Sequence, residues 1–447
     1  MVATSTALDR ARLKAYFRLM PLLFLCYVIA YVDRQNVAIA KLTMSHDMPA
    51  FTDAVIGLGA GVFFLGYFLL EIPGTLIVER WSARKWICRI MISWGIMAAL
   101  TAAVTTPWQF YAVRFLLGLA EAGFFPGIIV FLTHWFPIAD RARAISIFLI
   151  ATPVAQIASP KLSGWLLTIG TDQVINGTTI HHPELWGLKG WQVVYVFWGI
   201  PAVLLGLFVL YYLPDRPRDA GWLKADEREA LEAQLKLEKE LTRGHGHVSF
   251  LRALSDPKVM LLSLAYFCTV TSTYGIEFFM PSILKEWYQL NLSSLTWLIM
   301  LPPLLALVGQ LSVGWSSDRF QERRWHAVVP LVMSSLALAL LPLTRGSLPL
   351  TILCLMVAFC GFKAYMPAFW SLPNLFLVES AAAGSIGMIN SLGNLGGFLG
   401  PTIMGWLQTT TGSYVGGLYC LSVGMLVTAS LLFMLKLRPV PMLATEA

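Results

Sequence analysis

Twelve long apolar segments account for most of the chain and limit what it can fold into. They lie at approximately 17–40, 55–78, 86–106, 108–133, 143–169, 191–213, 257–284, 291–315, 326–344, 347–374, 381–407 and 413–436. A transmembrane helix needs about 20 predominantly apolar residues, so each segment is long enough to cross a bilayer. Only 13% of the 447 residues are charged, whereas soluble domains contain roughly 25%. The sequence therefore excludes a soluble enzyme and a disordered protein.

A polar segment between the sixth and seventh apolar stretches divides the sequence into two halves. Residues 214–256 begin with prolines and continue as a mixed-charge amphipathic stretch, which predicts a solvated linker with a short helix. We therefore predict an all-α membrane protein with an N-terminal six-helix bundle (1–213), a cytoplasmic linker (214–256) and a C-terminal six-helix bundle (257–447). Many secondary transporters have this duplicated architecture, with the substrate site at the midplane between the halves.

Lysine and arginine side chains concentrate on one side of the predicted topology. They lie in the N-terminus, the 2–3, 4–5 and 8–9 loops, the linker and the C-terminus. By the positive-inside rule these regions, including both termini, are cytoplasmic. The net charge of +7 is thus distributed over loops, and no nucleic-acid partner is predicted.

Two of these cytoplasmic loops resemble each other in sequence. The loop after the second span reads VERWSARKW and the loop after the eighth reads VGWSSDRFQERRW, each with an acid–arginine pair and further basic residues. We predict that these charges gate the cytoplasmic helix ends, and simple anchoring at the membrane surface is the alternative. The predicted gating residues are Glu79, Arg80, Arg84, Asp318, Arg319 and Arg323.

Seven ionisable side chains are predicted to lie near the bilayer centre, where each is a functional candidate because a charge there costs several kcal/mol. They are Asp33, Arg34, Glu71, Arg114, Glu121, Glu277 and Lys363. Arg114 and Glu121 are seven residues apart and share one helix face. A carboxyl group beside an arginine suits a proton carrier, and a static buried ion pair is the alternative.

Neighbouring positions in the first span predict two further roles. Arg34 is expected to face the central cavity, where a guanidinium can bind a carboxylate through two hydrogen bonds. Asp33 then faces helix four or the cavity wall, as the partner of Arg114 or as a second proton site. For Glu71 a structural role is favoured, and for Glu277 a gate or interface. Lys363 is either a second cation for a diacid or a member of an internal pair.

Polar and aromatic residues within the spans complete the predicted substrate site. Amide and hydroxyl groups can hydrogen-bond an acid while aromatic faces pack its apolar side, and contacts between helices are the alternative. Together with Arg34 and Lys363, the predicted substrate-binding residues are Tyr31, Tyr67, Gln156, Tyr274, Trp370, Asn374, Asn390 and Asn394.

Four stretches of the sequence carry a family resemblance that covers nearly the whole chain. They are YVDRQNVAIAKLTM (31–44), GYFLLEIPGTLIVER (66–80), RFLLGLAEAGFFPGIIVFLTHWFPIADRARA (114–144) and INSLGNLGGFLGPTIMGWL (389–407). These segments resemble the anion:cation symporter family of the major facilitator superfamily. The bacterial tartrate, phthalate and 4-hydroxyphenylacetate branch is the most similar, and the galactonate and sialic-acid carriers are more distant.

The resemblance implies proton-coupled uptake of an organic anion by alternating access. It implies that Arg34 binds a substrate carboxylate, that Asp33 and Glu121 carry the protons, and that Arg114 is an ion-pair partner. The loop after the second span departs from the family pattern, with PGT where PSN is commoner. Such a change affects gating rather than chemistry.

These observations together predict a secondary transporter of a bacterial inner membrane. The expected function is proton symport of a hydroxy-dicarboxylate, sugar acid or aromatic carboxylate by a monomer, with protons as coupling ion and no other cofactor. No nucleotide-binding motif is present, so no nucleotide partner or enzymatic activity is expected. A proton-coupled exporter of a drug or metabolite is one alternative, and a non-transporting membrane receptor is another.

Overall fold

The computed structural model describes residues 6–175, 178–242, 256–373 and 379–435. Its α-helices are α1 (Ala7–Asp47), α2 (Asp53–Arg80), α3 (Ala83–Leu100), α4 (Pro107–Glu121), α5 (Phe124–Thr133), α6 (Ile138–Leu149), α7 (Ala151–Leu166), α8 (Gly190–Tyr212), α9 (Ala225–Thr242), α10 (Pro257–Tyr288), α11 (Leu292–Leu298), α12 (Leu301–Phe320), α13 (Arg324–Leu340), α14 (Leu348–Ala364), α15 (Met366–Ser371), α16 (Glu379–Asn394), α17 (Gly396–Thr411) and α18 (Val415–Met434). A short antiparallel hairpin pairs β1 (Asp172–Ile175) with β2 (Thr178–His181).

Eleven helical stretches among the described residues are long and apolar enough to cross a membrane. The remaining predicted segment, 381–407, folds as two 16-residue helices, α16 and α17, which meet at Leu395. Neither half alone reaches the length of a complete span, although the two together do. The predicted all-α membrane fold is confirmed.

The chain forms two compact units. The first contains Met1–Phe51 and Val62–Gly244, and the second contains Thr52–Gly61 and His245–Ala447. The first residues of α2 therefore belong to the second unit, where the Ala54 backbone nitrogen donates to Thr409 Oγ1 at 2.9 Å. The predicted division into two six-helix bundles (1–213 and 257–447) and a linker (214–256) stays a prediction.

Glycines bring helices α2 and α4 of the first unit into close contact. A Cβ atom added at Gly66 would overlap the backbone of α4, and one added at Gly118 would overlap the Phe63 carbonyl oxygen of α2. Small residues at helix interfaces favour association in membranes because they let backbones approach. This contact fixes α4, which carries Glu121, against α2.

The predicted fourth span, 108–133, is interrupted immediately after Glu121. Helix α4 ends at this residue, and α5 begins at Phe124 after Gly123, whose φ of 84° lies in the left-handed region. A side chain at position 123 would strain this backbone conformation, so glycine is the suitable residue there. The break places the Glu121 carboxylate at a helix end inside the span.

Acidic side chains hold the linker helix α9 on the first unit. Glu227 is almost fully buried and lies 2.6 Å from the Lys14 ammonium of α1, and Asp226 lies 2.8 Å from Arg10. Further along α9, Glu238 Oε2 accepts a hydrogen bond from the Ile138 backbone nitrogen at the start of α6. The amphipathic linker helix predicted from the charge pattern thus packs on the first unit through its acidic face.

Helix α10 packs against α14, α16, α17 and α18 within the second unit. Buried hydroxyl groups connect it to α18: Thr269 Oγ1 lies 3.1 Å from Thr428 Oγ1, and Ser272 Oγ donates to the Leu421 carbonyl oxygen at 2.8 Å. Such side chains act as hydrogen-bonding contacts between membrane helices. They fix the helix that carries Glu277.

Candidate functional site

An ion pair between α1 and the end of α4 forms the centre of the candidate site in the first unit. Arg34 Nε donates to Glu121 Oε1 at 2.6 Å, and Arg34 Nη2 lies 2.6 Å from the same oxygen. The Glu121 side chain is 2% exposed and that of Arg34 is 14% exposed. A charge-assisted contact of this length is strong because little water competes for either partner.

Asp33, the neighbour of Arg34 on α1, is held by two different donors. Its Oδ2 accepts a short hydrogen bond from the Trp94 indole nitrogen of α3, and its Oδ1 accepts one from Asn36 Nδ2 at 3.0 Å. Asp33 therefore faces α3, whereas the sequence favoured helix four or the cavity wall. The adjacent positions 33 and 34 do point in different directions, as a 100° step along a helix requires.

Arg114 is fully buried on α4, and its guanidinium lies 5.1 Å from the centre of the Phe63 ring. It interacts electrostatically with both Asp33 and Glu121. The short ion pair of Glu121 is made to Arg34 on another helix, so the pairing differs from the one that the spacing of Arg114 and Glu121 suggested. With all groups ionised, these four side chains carry two positive and two negative charges.

Three predicted substrate-binding residues lie in the same unit. Tyr67 is buried beneath Arg34, whose guanidinium lies 5.0 Å from the centre of the tyrosine ring. Gln156 Nε2 on α7 donates to the Tyr31 hydroxyl at 3.5 Å, and both residues are buried. The Arg34 cation thus lies on an aromatic face, which favours its charge.

The second unit contains another ion pair, between Lys363 on α14 and Glu277 on α10. Lys363 Nζ lies 3.6 Å from Glu277 Oε1. Of the two arrangements predicted for Lys363, the internal pair is therefore the one observed. Glu277 faces Lys363 within the unit.

The other predicted residues of the second unit are spread over three helices. Trp370 on α15 packs edge-on against Tyr266 with ring centres 5.0 Å apart, and Tyr274 stacks with Phe278 at 6.0 Å. Asn390 and Asn394 lie on α16 and are partly exposed. Asn374 lies outside the described residues.

The predicted gating residues form local contacts. Arg84 binds Asp215 of the linker, through its backbone nitrogen at 2.9 Å and its Nε at 3.8 Å. Arg323 forms an ion pair with Asp318 and donates to Ser317, and the Arg319 guanidinium lies 5.2 Å from the Trp315 ring centre. The side chains of Glu79 and Arg80 lie outside those that the structure describes.

Arg89 and Trp94, both on α3, are two residues of this region that sequence reasoning missed. The Arg89 guanidinium lies 4.0 Å from the Trp86 ring centre, and its Nη1 donates to the Ala120 carbonyl oxygen at 3.5 Å, next to Glu121. Arg89 falls inside the predicted third span, so the sequence shows it as a further charge within a span. The role of Trp94 had no such signal, because an indole in a membrane segment is ordinary.

His134, which follows α5, is a half-buried histidine. Burial, assisted by the positive charge of Arg216, lowers the pKa of His134 to about 4. The imidazole is therefore neutral between pH 6 and 8 and is a poor candidate for the proton carrier. Among the described residues, no group of three His, Cys, Asp or Glu side chains could hold a metal ion.

Comparison with known proteins identifies the family of this chain. Residues 23–401 match the Major Facilitator Superfamily. A protein of Agrobacterium vitis named "Putative tartrate transporter" is 40% identical over 96% of this chain and 95% of its own length. The "Quinolone resistance transporter" of Acinetobacter baumannii is 37% identical over 92% of this chain and 91% of its own.

A solved structure of a bacterial homologue of the human lysosomal transporter Spinster has the same fold. Its TM-score is 0.72 at 19% identity, over 95% of each chain. The relatives are transporters rather than enzymes, and they confirm the resemblance to the anion:cation symporter branch that the motifs indicated. The protein is a multi-pass integral membrane transporter, and the chain belongs to the Major Facilitator Superfamily.

Proposed function

We propose that this transporter takes up a small organic anion together with protons, by alternating access. The observation that carries the proposal is the buried contact between Arg34 and Glu121. A guanidinium occupied by an internal carboxylate cannot bind a substrate carboxylate with the same donors. Removal of the Glu121 charge would therefore allow the Arg34 donors to bind a substrate carboxylate.

A proton on Glu121 is the simplest way to remove that charge. Protonation leaves the four-residue cluster of Asp33, Arg34, Arg114 and Glu121 with a net charge of +1, and Arg34 regains donors for a carboxylate. When the proton leaves on the other side of the membrane, Glu121 competes again for Arg34 and displaces the substrate. Substrate and proton thus bind together and leave together, as symport requires.

We propose Asp33 as a second proton site and Arg114 as the fixed positive charge of the cluster. Asp33 is buried and bound by two neutral donors, Trp94 and Asn36. Arg114 is fully buried. Tyr31, Tyr67 and Gln156 of the first unit are proposed to surround the bound acid.

The substrate class follows from the cation at the centre of the site and from the relatives. A hydroxy-dicarboxylate, a sugar acid or an aromatic carboxylate each offers a carboxylate for Arg34. The relative named for tartrate favours the first of these. The transporter is proposed to act as a monomer in a bacterial inner membrane, with both termini cytoplasmic and with the cytoplasmic loop charges as gates.

Proton-driven uptake into liposomes tests the proposal. Purified protein is reconstituted, an acid-outside gradient is imposed, and uptake of tartrate, galactonate, phthalate and 4-hydroxyphenylacetate is measured. We expect accumulation of at least one acid and its loss when the gradient is abolished with an ionophore. No accumulation of any of the four acids would refute the proposal.

The variant Glu121→Gln separates coupling from binding. Because glutamine mimics the protonated acid, this variant is expected to lose proton-driven uptake and to retain exchange of internal for external substrate. Glu240→Gln, the same substitution at an exposed position of α9, is the matched control and leaves both rates unchanged. Proton-driven uptake by Glu121→Gln at the wild-type rate would contradict the role of Glu121.

Proton-coupled export is a second candidate function, favoured by the relative named for quinolone resistance. In export the proton and the substrate move in opposite directions. The same liposomes distinguish the two, because an acid-inside gradient then drives uptake and an acid-outside gradient does not. A lipophilic cation would not need Arg34, and so symport of an anion is preferred.

A further inference from the structure

Arg89 is a half-buried cation that has no role in the coupling scheme. It lies on α3, a helix long and apolar enough to cross a membrane. The guanidinium carbon lies 4.0 Å from the centre of the Trp86 ring, and the Nε atom is buried. Among the side chains that the structure describes, no carboxylate forms an ion pair with Arg89. A cation kept inside a membrane helix without a carboxylate partner is costly, so it is a candidate for function.

The polar contact of Arg89 is with the broken end of α4. Its Nη1 donates to the Ala120 carbonyl oxygen at 3.5 Å. In a continuous helix this oxygen would accept a hydrogen bond from the backbone nitrogen four residues later. Because α4 ends at Glu121 and α5 begins at Phe124, the backbone hydrogen bonds of the described residues do not include that one. The last carbonyl groups of a helix need other donors, and Arg89 supplies one here.

Trp86 contacts the same break and also supports Arg89. The two side chains are three positions apart on α3 and so share one face of the helix. A Cβ atom added at Gly123 would lie 3.2 Å from Trp86 Nε1, so the indole packs on the left-handed residue between α4 and α5. Two side chains of α3 therefore contact the chain on either side of Glu121.

The positive charge of Arg89 suits this position. Carbonyl groups at the C-terminal end of a helix carry a partial negative charge, which favours a cation nearby. A neutral donor could satisfy the Ala120 carbonyl oxygen with a smaller desolvation cost, because burying a charge costs more than burying a polar group. The use of an arginine therefore points to a role connected with Glu121, the acid that follows Ala120.

We propose that Arg89 is a positioning residue for Glu121. It holds the broken end of α4 and so keeps the Glu121 carboxylate within reach of Arg34, to which Glu121 returns each time its proton leaves. Without Arg89 the end of α4 shifts, and Glu121 competes poorly with the substrate for Arg34. The inference rests on the proposed function and adds to it a residue that acts through Glu121.

Two transport assays on the full-length protein in liposomes test this proposal. The substrate is whichever of tartrate, galactonate, phthalate and 4-hydroxyphenylacetate the wild-type protein accumulates. Arg89→Met should reduce proton-driven uptake about tenfold and keep exchange of internal for external substrate within about twofold, because it removes a charged hydrogen-bond donor next to the coupling acid. Arg89→Lys retains the charge and N–H donors, so its proton-driven uptake should stay within about threefold of the wild-type rate.

Two further variants keep the test valid if Arg89→Met impairs folding. Arg89→Gln retains a neutral amide donor in place of the cation, and it should show the same selective loss of proton-driven uptake. Arg218→Met is the matched control, because the Arg218 side chain is 74% exposed in the segment before α9. It should behave as the wild-type protein in both assays.

Three results would overturn the inference. The first is proton-driven uptake at the wild-type rate in both Arg89→Met and Arg89→Gln. The second is an equal loss of uptake and exchange in these variants without recovery in Arg89→Lys, which is the result that a purely structural arginine gives. Both leave the proposed function intact, since the wild-type protein still accumulates substrate. The third is a wild-type protein that accumulates none of the four acids, which would refute the proposed function as well.

Discussion

Replacement of Gly118 by alanine tests whether the close packing of α2 against α4 positions the Arg34–Glu121 pair. A Cβ atom at position 118 would overlap the Phe63 carbonyl oxygen and lie 2.9 Å from the Tyr67 backbone nitrogen. Both are backbone atoms of a helix, so neither can rotate away as a side chain would. The two helices must therefore move apart, and the Glu121 carboxylate moves with α4.

The expected loss of stability is about 2 kcal/mol. Inserting an extra methyl group into a well-packed interface costs about 1–3 kcal/mol, and the upper end applies here because the atoms it meets are backbone. The better helix propensity of alanine offsets about 1 kcal/mol of this cost. At about 2–4 °C per kcal/mol for a domain of this size, the melting temperature should fall by about 4–8 °C.

Thermal unfolding of the purified protein and proton-driven uptake in liposomes check this prediction. The matched control is Gly387→Ala, because an added Cβ at position 387 of α16 meets open space. The control should keep its uptake and be stabilised by up to about 1 kcal/mol. Wild-type melting temperature and uptake in the Gly118→Ala variant would refute the argument that this contact positions the pair.

Two further predictions concern groups outside the central ion pair. The Lys14 ammonium lowers the pKa of Glu227, so their contact stabilises the docked linker helix at neutral pH, and this contribution is lost as the pH falls from about 4.5 through the lowered pKa. Protease cleavage of the linker should increase over that range, and a Glu227→Gln variant with an unchanged pH profile would contradict this. Trp94→Phe removes a donor to Asp33 while keeping an aromatic ring, and should reduce proton-driven uptake about tenfold and also lower the melting temperature, because the buried phenyl ring is smaller than the indole. Unchanged uptake would argue against a coupling role for Asp33.

The membrane fold could be predicted because hydrocarbon imposes a length and an apolar composition on every spanning helix. The breaks within two of these spans, after Glu121 and at Leu395, are harder to predict from the sequence. The composition of this segment does not predict that α4 ends at Glu121. Gly123, with its left-handed backbone conformation, explains the break only after the structure shows it. The composition of segment 381–407 predicts one span, because its interruption at Leu395 lies among small and apolar residues, which suit a continuous helix equally well.

The sequence singles out these charged residues but does not predict how they pair. Helical periodicity relates residues three, four or seven positions apart, and so it suggested Arg114 as the partner of Glu121. Arg34 is 87 positions away on another helix, and only tertiary packing brings it to 2.6 Å. The same limit applies to Asp33 with Trp94 and to Glu277 with Lys363.

The proposed mechanism would let a carrier keep charges inside a membrane and still release its ligand. An isolated arginine at this depth would be costly, whereas an arginine bound to a carboxylate is largely compensated. In the proposed mechanism, exchange of the Glu121 carboxylate for a substrate carboxylate replaces one such contact with a similar one, so the two states would differ little in free energy. A ligand shifts an equilibrium only by its differential affinity for the two states. A small free-energy difference between the Glu121-bound and substrate-bound states of Arg34 would therefore let a single proton decide which state is populated. A substrate carboxylate bound far more tightly than Glu121 would remain on Arg34 after the proton had left.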